Sequence, residues 1–379
     1  MTRRRVLIVG GGIGGLTLAG LLLRDGHEVT VLERAQVFAP VGAGIVLAPN
    51  ATRVLAELDL VDDLHRGGFL PDTMCVLDQR GRELSRLDAA EAEHLFGGSV
   101  AVHRAVLHEA LCRAAGGADI RCGTTVESVD DSGPQCTVVD SAGATHTPDL
   151  VVGADGIRSG VRELVFGGPE PSYSGYTCWR VIIEHDLHLR RTVEMWGSGR
   201  RFGIVPIASE HAYCFATANE PAGGRDPAEG ALDTFRGRFA DFGGDVPALL
   251  ERLRGDEALL RNDIEEVEVP HWTRGRVALL GDAAHAMTPN MGQGAGMALE
   301  DALVLRRCLA ESADVPAALT GYEALRRPRV HWVQTQSRRI GQIGQWANPL
   351  ACWARDRLTA LTPSAFASRT FVRLVDEAP

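Results

Sequence analysis

The chain has 379 residues, 45% of them hydrophobic and 23% charged, with a formal net charge of −10. That length allows two domains and a sizeable core, and the acidic balance excludes the basic footprint of a nucleic-acid binder. All 39 basic side chains are Arg, which excludes a Schiff-base lysine and a Walker-type phosphate lysine.

Met1 and three arginines precede an uncharged run from Val6 to Leu23 that superficially resembles a secretion leader. Five of the six residues from 10 to 15 are glycine, which a helical leader core does not tolerate. The run is therefore read as folded core and the protein as cytoplasmic. The eight cysteines are scattered with no CxxC pair, which favours reduced thiols over a disulfide framework or a zinc site.

Arg5 to Val9 reads as a strand, Leu16 to Leu23 as a helix and Glu28 to Leu32 as a second strand ending in Glu33. The loop between the first strand and the helix is Gly-Gly-Gly-Ile-Gly-Gly, the context a dinucleotide-binding G-x-G-x-x-G requires. Gly10 permits the tight turn, Gly12 lets a pyrophosphate approach the backbone, and Gly15 lets helix and strand pack closely. Ile13 and Gly14 complete the loop ahead of the helix, whose N–H groups and partial positive charge suit phosphates. Glu33 is placed to accept from a ribose diol. Arg34 either flanks an adenine or is a surface arginine. These residues leave NAD and FAD both open.

Further along, Thr73 to Leu77 reads as a strand with its turn at Arg80-Gly81, Arg104 begins a helix, and Thr124 to Val129 reads as a strand. A buried strand from residue 149 then runs into a turn at Asp155-Gly156. Tyr173 to Ile183, Val193 to Ile207 and Ala212 to Ala218 read as strands separated by turns. Residues 281–302, GDAAHAMTPNMGQGAGMALEDA, follow another strand and lead into a helix from about Ala295. Asp282 and His285 alone supply too few ligands for a metal site, and none is expected. From residue 321 the chain reads as helices ending near Asp376. The Arg326–Arg329 cluster is expected to pair with surface acids. Trp346 to Leu361 is amphipathic and is expected to pack on the nucleotide domain, with interfacial membrane binding as the alternative.

The glycine motif, the Asp155-Gly156 turn and the 281–302 segment, in that order, resemble the group A flavin monooxygenases, the aromatic-hydroxylase family. The resemblance runs from about residue 3 to about residue 330. Asn290-Met-Gly-Gln-Gly and Glu220-Pro-Ala-Gly-Gly look closest to the urate-hydroxylase and zeaxanthin-epoxidase-like branch. The resemblance implies an α/β fold like that of p-hydroxybenzoate hydroxylase: a Rossmann-like FAD-binding domain (1–69, 100–171 and 270–320), an inserted antiparallel sheet forming a substrate domain (70–99 and 172–269), and a C-terminal helical region (321–379).

The same resemblance carries roles onto single residues. Asp155 and a buried Asp282 would serve the FAD site, Asp282 accepting from a ribityl hydroxyl. Pro289, Gly292, Gly294, Ala295 and Gly296 would press on the flavin ring, with the helix start stabilising negative charge on the reduced ring. Arg104 would face the ribityl–phosphate chain, the Val126 backbone the adenine, and Gly44 the ring. Arg201 and Tyr213 match substrate-site positions: an arginine to steady an anionic substrate, a tyrosine to orient or deprotonate it, with ordinary cross-strand pairing as the competing reading. Asn290 stands where some urate-type relatives have an acid, a departure from a urate-like site. Trp179 and Trp196 either line the pocket or fill the core.

The implied activity is NADH- or NADPH- and O2-dependent hydroxylation of a small aromatic or polycyclic substrate through a flavin C4a-hydroperoxide, by a monomer or homodimer without stable membrane insertion. Alternatives are epoxidation of an alkene by the same chemistry, a non-hydroxylating flavin oxidoreductase, or a sensor that binds without turnover. A halogenase is disfavoured, since the chain lacks both the lysine and the Trp-x-Trp-x-Ile-Pro motif such enzymes use.

Overall fold

A computed structural model describes residues 2–38, 43–69, 73–87, 98–133, 135–255, 259–362 and 369–379. Arg5–Val9 lies in a six-stranded sheet, parallel to Glu28–Glu33 on one side and to Leu150–Gly153 on the other. Asp119–Cys122 and Val277–Leu279 extend it in parallel, and Thr273–Arg274 closes one edge antiparallel. Val6, Leu7, Ile8, Val151 and Val152 are all buried, as the continuous apolar runs of a sheet covered on both faces require. The helix Ile13–Arg24 packs against the helices Arg104–Ala114 and Gly294–Glu311.

A seven-stranded sheet runs Leu260–Glu266, Ser172–Glu184, His211–Ala218, Arg200–Ala208, Arg191–Trp196, Thr73–Asp78 and Glu83–Arg86. Its residues alternate between two faces. Trp179, Val181, Phe202, Ile204, Cys214 and Ala216 bury one face against Phe235 and Phe239 of the helix Ala231–Phe239, Leu249 of the helix Val246–Arg252, and Phe242 between them. Cys178, Arg180, Arg201, Val205, Tyr213, Phe215 and Thr217 lie on the other face and line a cavity. The structure refines the expected Val193–Ile207 strand into two, Arg191–Trp196 and Arg200–Ala208, because Gly197-Ser-Gly199 turns the chain. The sheet is also not wholly antiparallel: Arg191–Trp196 pairs in parallel with Thr73–Asp78, which arrives from far upstream.

The helix Val315–Gly344 runs unbroken through residue 321. Its Arg326 does not meet surface acids. It is 1% exposed and donates to Glu300 and Asp301, both fully buried, while Arg329 donates to Glu300 as well. Charged residues on a helix read as solvated in sequence, yet here their counterions come from another buried helix. The helix Pro349–Leu361 does not cover the nucleotide domain. It packs against the edge strand Glu83–Arg86, with Arg355 Nη2 donating to Gly197 O at 3.2 Å. Among the described residues no helix is long and apolar enough to cross a membrane.

Candidate active site

The glycine loop owes its shape to close packing. Gly10 has φ +110°, and a Cβ there would sit 2.3 Å from Ala154 O; one on Gly15 would sit 2.0 Å from Gly10 O. Beside Gly12, by contrast, there is open space. No side chain caps the helix Ile13–Arg24 and no acid occupies its first turn, so the N–H groups at Ile13 and Gly14 are left for an anion. Glu33, at the end of the neighbouring strand, accepts from Gly11 N at 2.7 Å and Ala35 N at 2.8 Å. Arg34 and Arg104 are exposed, and Val126 is half-buried in the strand Val126–Asp130. Sequence reasoning missed His108, one turn beyond Arg104, whose Nε2 lies 2.9 Å from Gly11 O and whose ring meets Phe38 edge-on. The i, i+4 spacing of Arg104 and His108 was the available signal.

The Asp155 carboxylate folds back on its own loop, accepting from Ser159 Oγ and from Val161 N at 3.1 Å. Burial pushes its carboxyl pKa up, against those hydrogen bonds. Arg162 ties this loop to the 281–302 segment, donating to Ile157 O and Ala283 O. Asp282 is exposed, not buried as expected, and its carboxylate has no hydrogen-bond partner among the described residues. His285 is turned away from it, buried with Nε2 2.6 Å from Asp301 Oδ2 and its ring against Trp272. The two do not form a metal pair.

Pro289–Met291 makes a single 3₁₀ turn, and Gly292 follows at φ +64° with open space beside it. The helix Gly294–Glu311 then starts with no capping side chain and no acid in its first turn, leaving the N–H groups around Ala295 free for negative charge. At Gly296 the missing side chain makes room for Gln293 and Asn50, whose Nδ2 donates to Gln293 Oε1 and Glu300 Oε1. This buried network fixes the loop from behind and was not legible in the local motif.

A cavity of about 320 Å³ lies between this loop and the seven-stranded sheet. Its apolar wall includes Ile45, Val46, Met74, Val205, Phe215, Met291 and Phe371. Gly44 lines it too, and a Cβ there would sit 2.4 Å from Tyr213 Cβ; Gly44 makes room for that tyrosine. Arg201 is 2% exposed and donates to three acceptors: Glu194 Oε1 at 2.9 Å, Asn290 Oδ1 at 2.7 Å and Gln345 Oε1 at 3.0 Å. Burial pushes the Tyr213 phenol pKa up to about 12, although the neighbouring Arg180 pulls the other way. That phenol is protonated at neutral pH. Trp179 faces the opposite side of the sheet and donates to Asp226, while Trp196 donates to Glu194.

A family model described as an FAD binding domain matches residues 3–337. The chain belongs to that family. It is 42% identical to the aurachin C monooxygenase/isomerase of Stigmatella aurantiaca, over 95% of this chain and 94% of that one. It is 37% identical to the 2-heptyl-3-hydroxy-4(1H)-quinolone synthase of Pseudomonas aeruginosa, over 97% of each. Among solved structures it is similar to Klebsiella pneumoniae HpxO complexed with FAD and uric acid, with 27% identity, a TM-score of 0.91 and coverage of 99% and 97%. The protein is an FAD-dependent monooxygenase with the aromatic-hydroxylase fold. The uncapped helix Ile13–Arg24, the exposed Asp282 carboxylate and the uncapped helix Gly294–Glu311 form a donor and acceptor set that fits the cofactor from diphosphate to ring.

Proposed function

We propose that this enzyme hydroxylates a 4-quinolone or closely related fused nitrogen heteroaromatic that carries an apolar side chain, at the ring carbon adjacent to the oxygen-bearing one. One observation supports this above the others: the cavity is walled mainly by aliphatic and aromatic side chains, and its deepest arginine, Arg201, already holds a carboxylate, Glu194. A polyanionic or carboxylated ring would find that arginine neutralised, whereas a neutral bicyclic ring with an alkyl tail meets the pocket on its own terms. One of the two relatives described above, named for a 2-heptyl quinolone, supports the same substrate class.

Reduced FAD, once bound and supplied with O2, provides the electrophilic oxygen; the protein supplies position and a dry site. Ile13 and Gly14 would hold the diphosphate, Glu33 the ribose, Asp282 the ribityl chain, and Arg104 its flank, with the Val126 backbone and Arg34 toward the adenine and Asp155 bracing the adjoining loop. Pro289, Gly292, Gly294 and Ala295 would form the floor under the ring. Tyr213, protonated, would donate a hydrogen bond to the substrate rather than remove its proton. Arg201 would brace the wall through Asn290 and Gln345. Electrons would come from NADH or NADPH. The eight free cysteines support a reducing cytoplasmic setting, and the enzyme would work as a monomer or homodimer.

The test is NAD(P)H oxidation by the purified flavoprotein with 2-heptyl-4(1H)-quinolone, urate and 4-hydroxybenzoate compared at equal concentration. Stimulation by the quinolone at least about tenfold above the other two is expected, a discrimination of about 1.4 kcal/mol. Preference for urate or 4-hydroxybenzoate would overturn the substrate assignment.

A further inference from the structure

The helix Pro349–Leu361 buries only one side. Cys352 and Arg355 face the protein, where the Arg355 guanidinium lies over the Trp196 ring and donates to Gly344 O and Gly197 O. With 3.6 residues per turn, Leu350, Trp353, Arg357, Leu358 and Leu361 fall on the opposite side, within an arc of about 140°. Leu350 and Leu361 are each 78% exposed, Leu358 65% and Trp353 63%. Just upstream, Ile343 and Trp346 are exposed as well. Single apolar side chains on a surface are ordinary, whereas a contiguous patch marks a surface that meets something. Of the ten large apolar side chains exposed among the described residues, six lie between positions 343 and 361, so this is a patch.

Charge decides what the patch meets. The whole chain carries −10, yet residues 339–361 hold Arg339, Arg355 and Arg357 against a single acid, Asp356. That acid is already engaged by Arg355 at 2.9 Å. Arg339 and Arg357 are exposed, and Arg357 stands inside the apolar face with its guanidinium 5.8 Å from the centre of the Trp353 ring. A second copy docked through the same patch would set arginine against arginine, with no free acid on the segment to balance them. An anionic bilayer surface supplies the opposite charge: the leucines enter the boundary between headgroups and acyl chains, the indole sits at that level, and the arginine reaches a phosphate. We propose that Pro349–Leu361 is an interfacial helix that docks the enzyme onto an anionic lipid bilayer, lying in the plane of its surface. The helix packs on the edge strand Glu83–Arg86, whose neighbour Thr73–Asp78 lends Thr73 and Met74 to the cavity. The chain returns at Arg369–Asp376 to place Phe371 in the cavity wall. Docking therefore brings the cavity to the phase in which apolar molecules concentrate. The proposal stands on this surface alone and does not require the quinolone reading.

The experiment is co-sedimentation of the FAD-loaded enzyme with sucrose-loaded vesicles, made of phosphatidylcholine alone or of an equal mixture with phosphatidylglycerol. At low salt the wild type should bind the anionic vesicles at least about fivefold more strongly than the neutral ones. Arg357→Gln should weaken binding to the anionic vesicles about fivefold, one arginine's share, and leave binding to the neutral ones unchanged. Leu358→Glu combined with Leu361→Glu should weaken binding to both by at least about tenfold, with flavin occupancy and near-UV circular dichroism verifying that each variant folds. Wild-type enzyme that stays in the supernatant with both vesicle types, or a leucine double variant that sediments like wild type, would overturn the proposal. Sedimentation equilibrium addresses the other occupant: a wild-type dimer that binds no vesicles and that the leucine double variant dissociates would assign the face to a second copy and overturn the lipid surface. Vesicle binding by an enzyme that leaves 2-heptyl-4(1H)-quinolone unoxidised would uphold the docking face and sink only the substrate assignment.

Discussion

Arg201 Nη1 donates to Glu194 Oε1 at 2.9 Å inside the cavity, with side chains 2% and 12% exposed. Shielded from water, the pair is a closed unit in which either charge without the other is expensive. Glu194→Gln should cost about 3–5 kcal/mol in urea unfolding and, by releasing the Arg201 charge, should tighten binding of benzoate-type anions. Unchanged stability together with unchanged anion affinity would contradict the pairing.

Tyr213 has its phenol pKa raised to about 12, chiefly by burial. Its ionisation therefore lies above the range in which the enzyme is assayed, and the pH profile of kcat/KM between about pH 6 and 9 should be the same for wild type and Tyr213→Phe. The variant should lose one hydrogen bond to substrate, about fivefold in affinity. Disappearance of a limb of the pH profile in Tyr213→Phe would show that the phenol does act as a base.

Gly44 faces Tyr213 so closely that an added methyl would lie 2.4 Å from its Cβ. Gly44→Ala must displace either the tyrosine or the strand Gly44–Leu47, narrowing the cavity. Retained flavin content with substrate affinity reduced about tenfold, inside the range of about 1–3 kcal/mol that overpacking costs, is the expected result of ligand titration.

These cavity relationships show where sequence reading stops. The glycine loop, Glu33 and the 281–302 segment were legible because they answer backbone requirements that recur wherever a dinucleotide meets a helix start. The Arg201–Glu194 pair was not, although the Gly197-Ser-Gly199 turn carried the signal. That turn sets Trp196 opposite Arg201, which brings Glu194, two residues earlier, to the same face. Arg180 alternates plainly with Trp179, but nothing local tells which face of the sheet meets the cofactor. The buried pairing of Arg326 is not legible locally, because its partners, Glu300 and Asp301, come from a different helix. Asp282 was expected to be buried because its strand is, yet the chain turns at Gly281 and exposes it.

Asp301 ties that same turn to the core, accepting from Gly281 N, His285 and Arg326. Burial alone would raise its carboxyl pKa; His285 and Arg326 outweigh it and bring the value to about 2. A carboxylate depressed in the folded state stabilises above its unfolded value of about 3.9 and loses that contribution as pH falls toward the folded one. The stability gap between wild type and Asp301→Asn, from urea unfolding, should thus be constant above about pH 5 and shrink between about pH 4 and 2. A gap that stays constant down to the lowest pH would show that the carboxylate is not held ionised.

The central claim, oxygenation of a quinolone ring by the bound flavin, is tested most directly with 18O2. Purified enzyme, NAD(P)H and 2-heptyl-4(1H)-quinolone under 18O2 should give the 3-hydroxy product carrying one 18O atom, with none incorporated from H218O. NAD(P)H consumption that yields only hydrogen peroxide and unlabelled quinolone would contradict it.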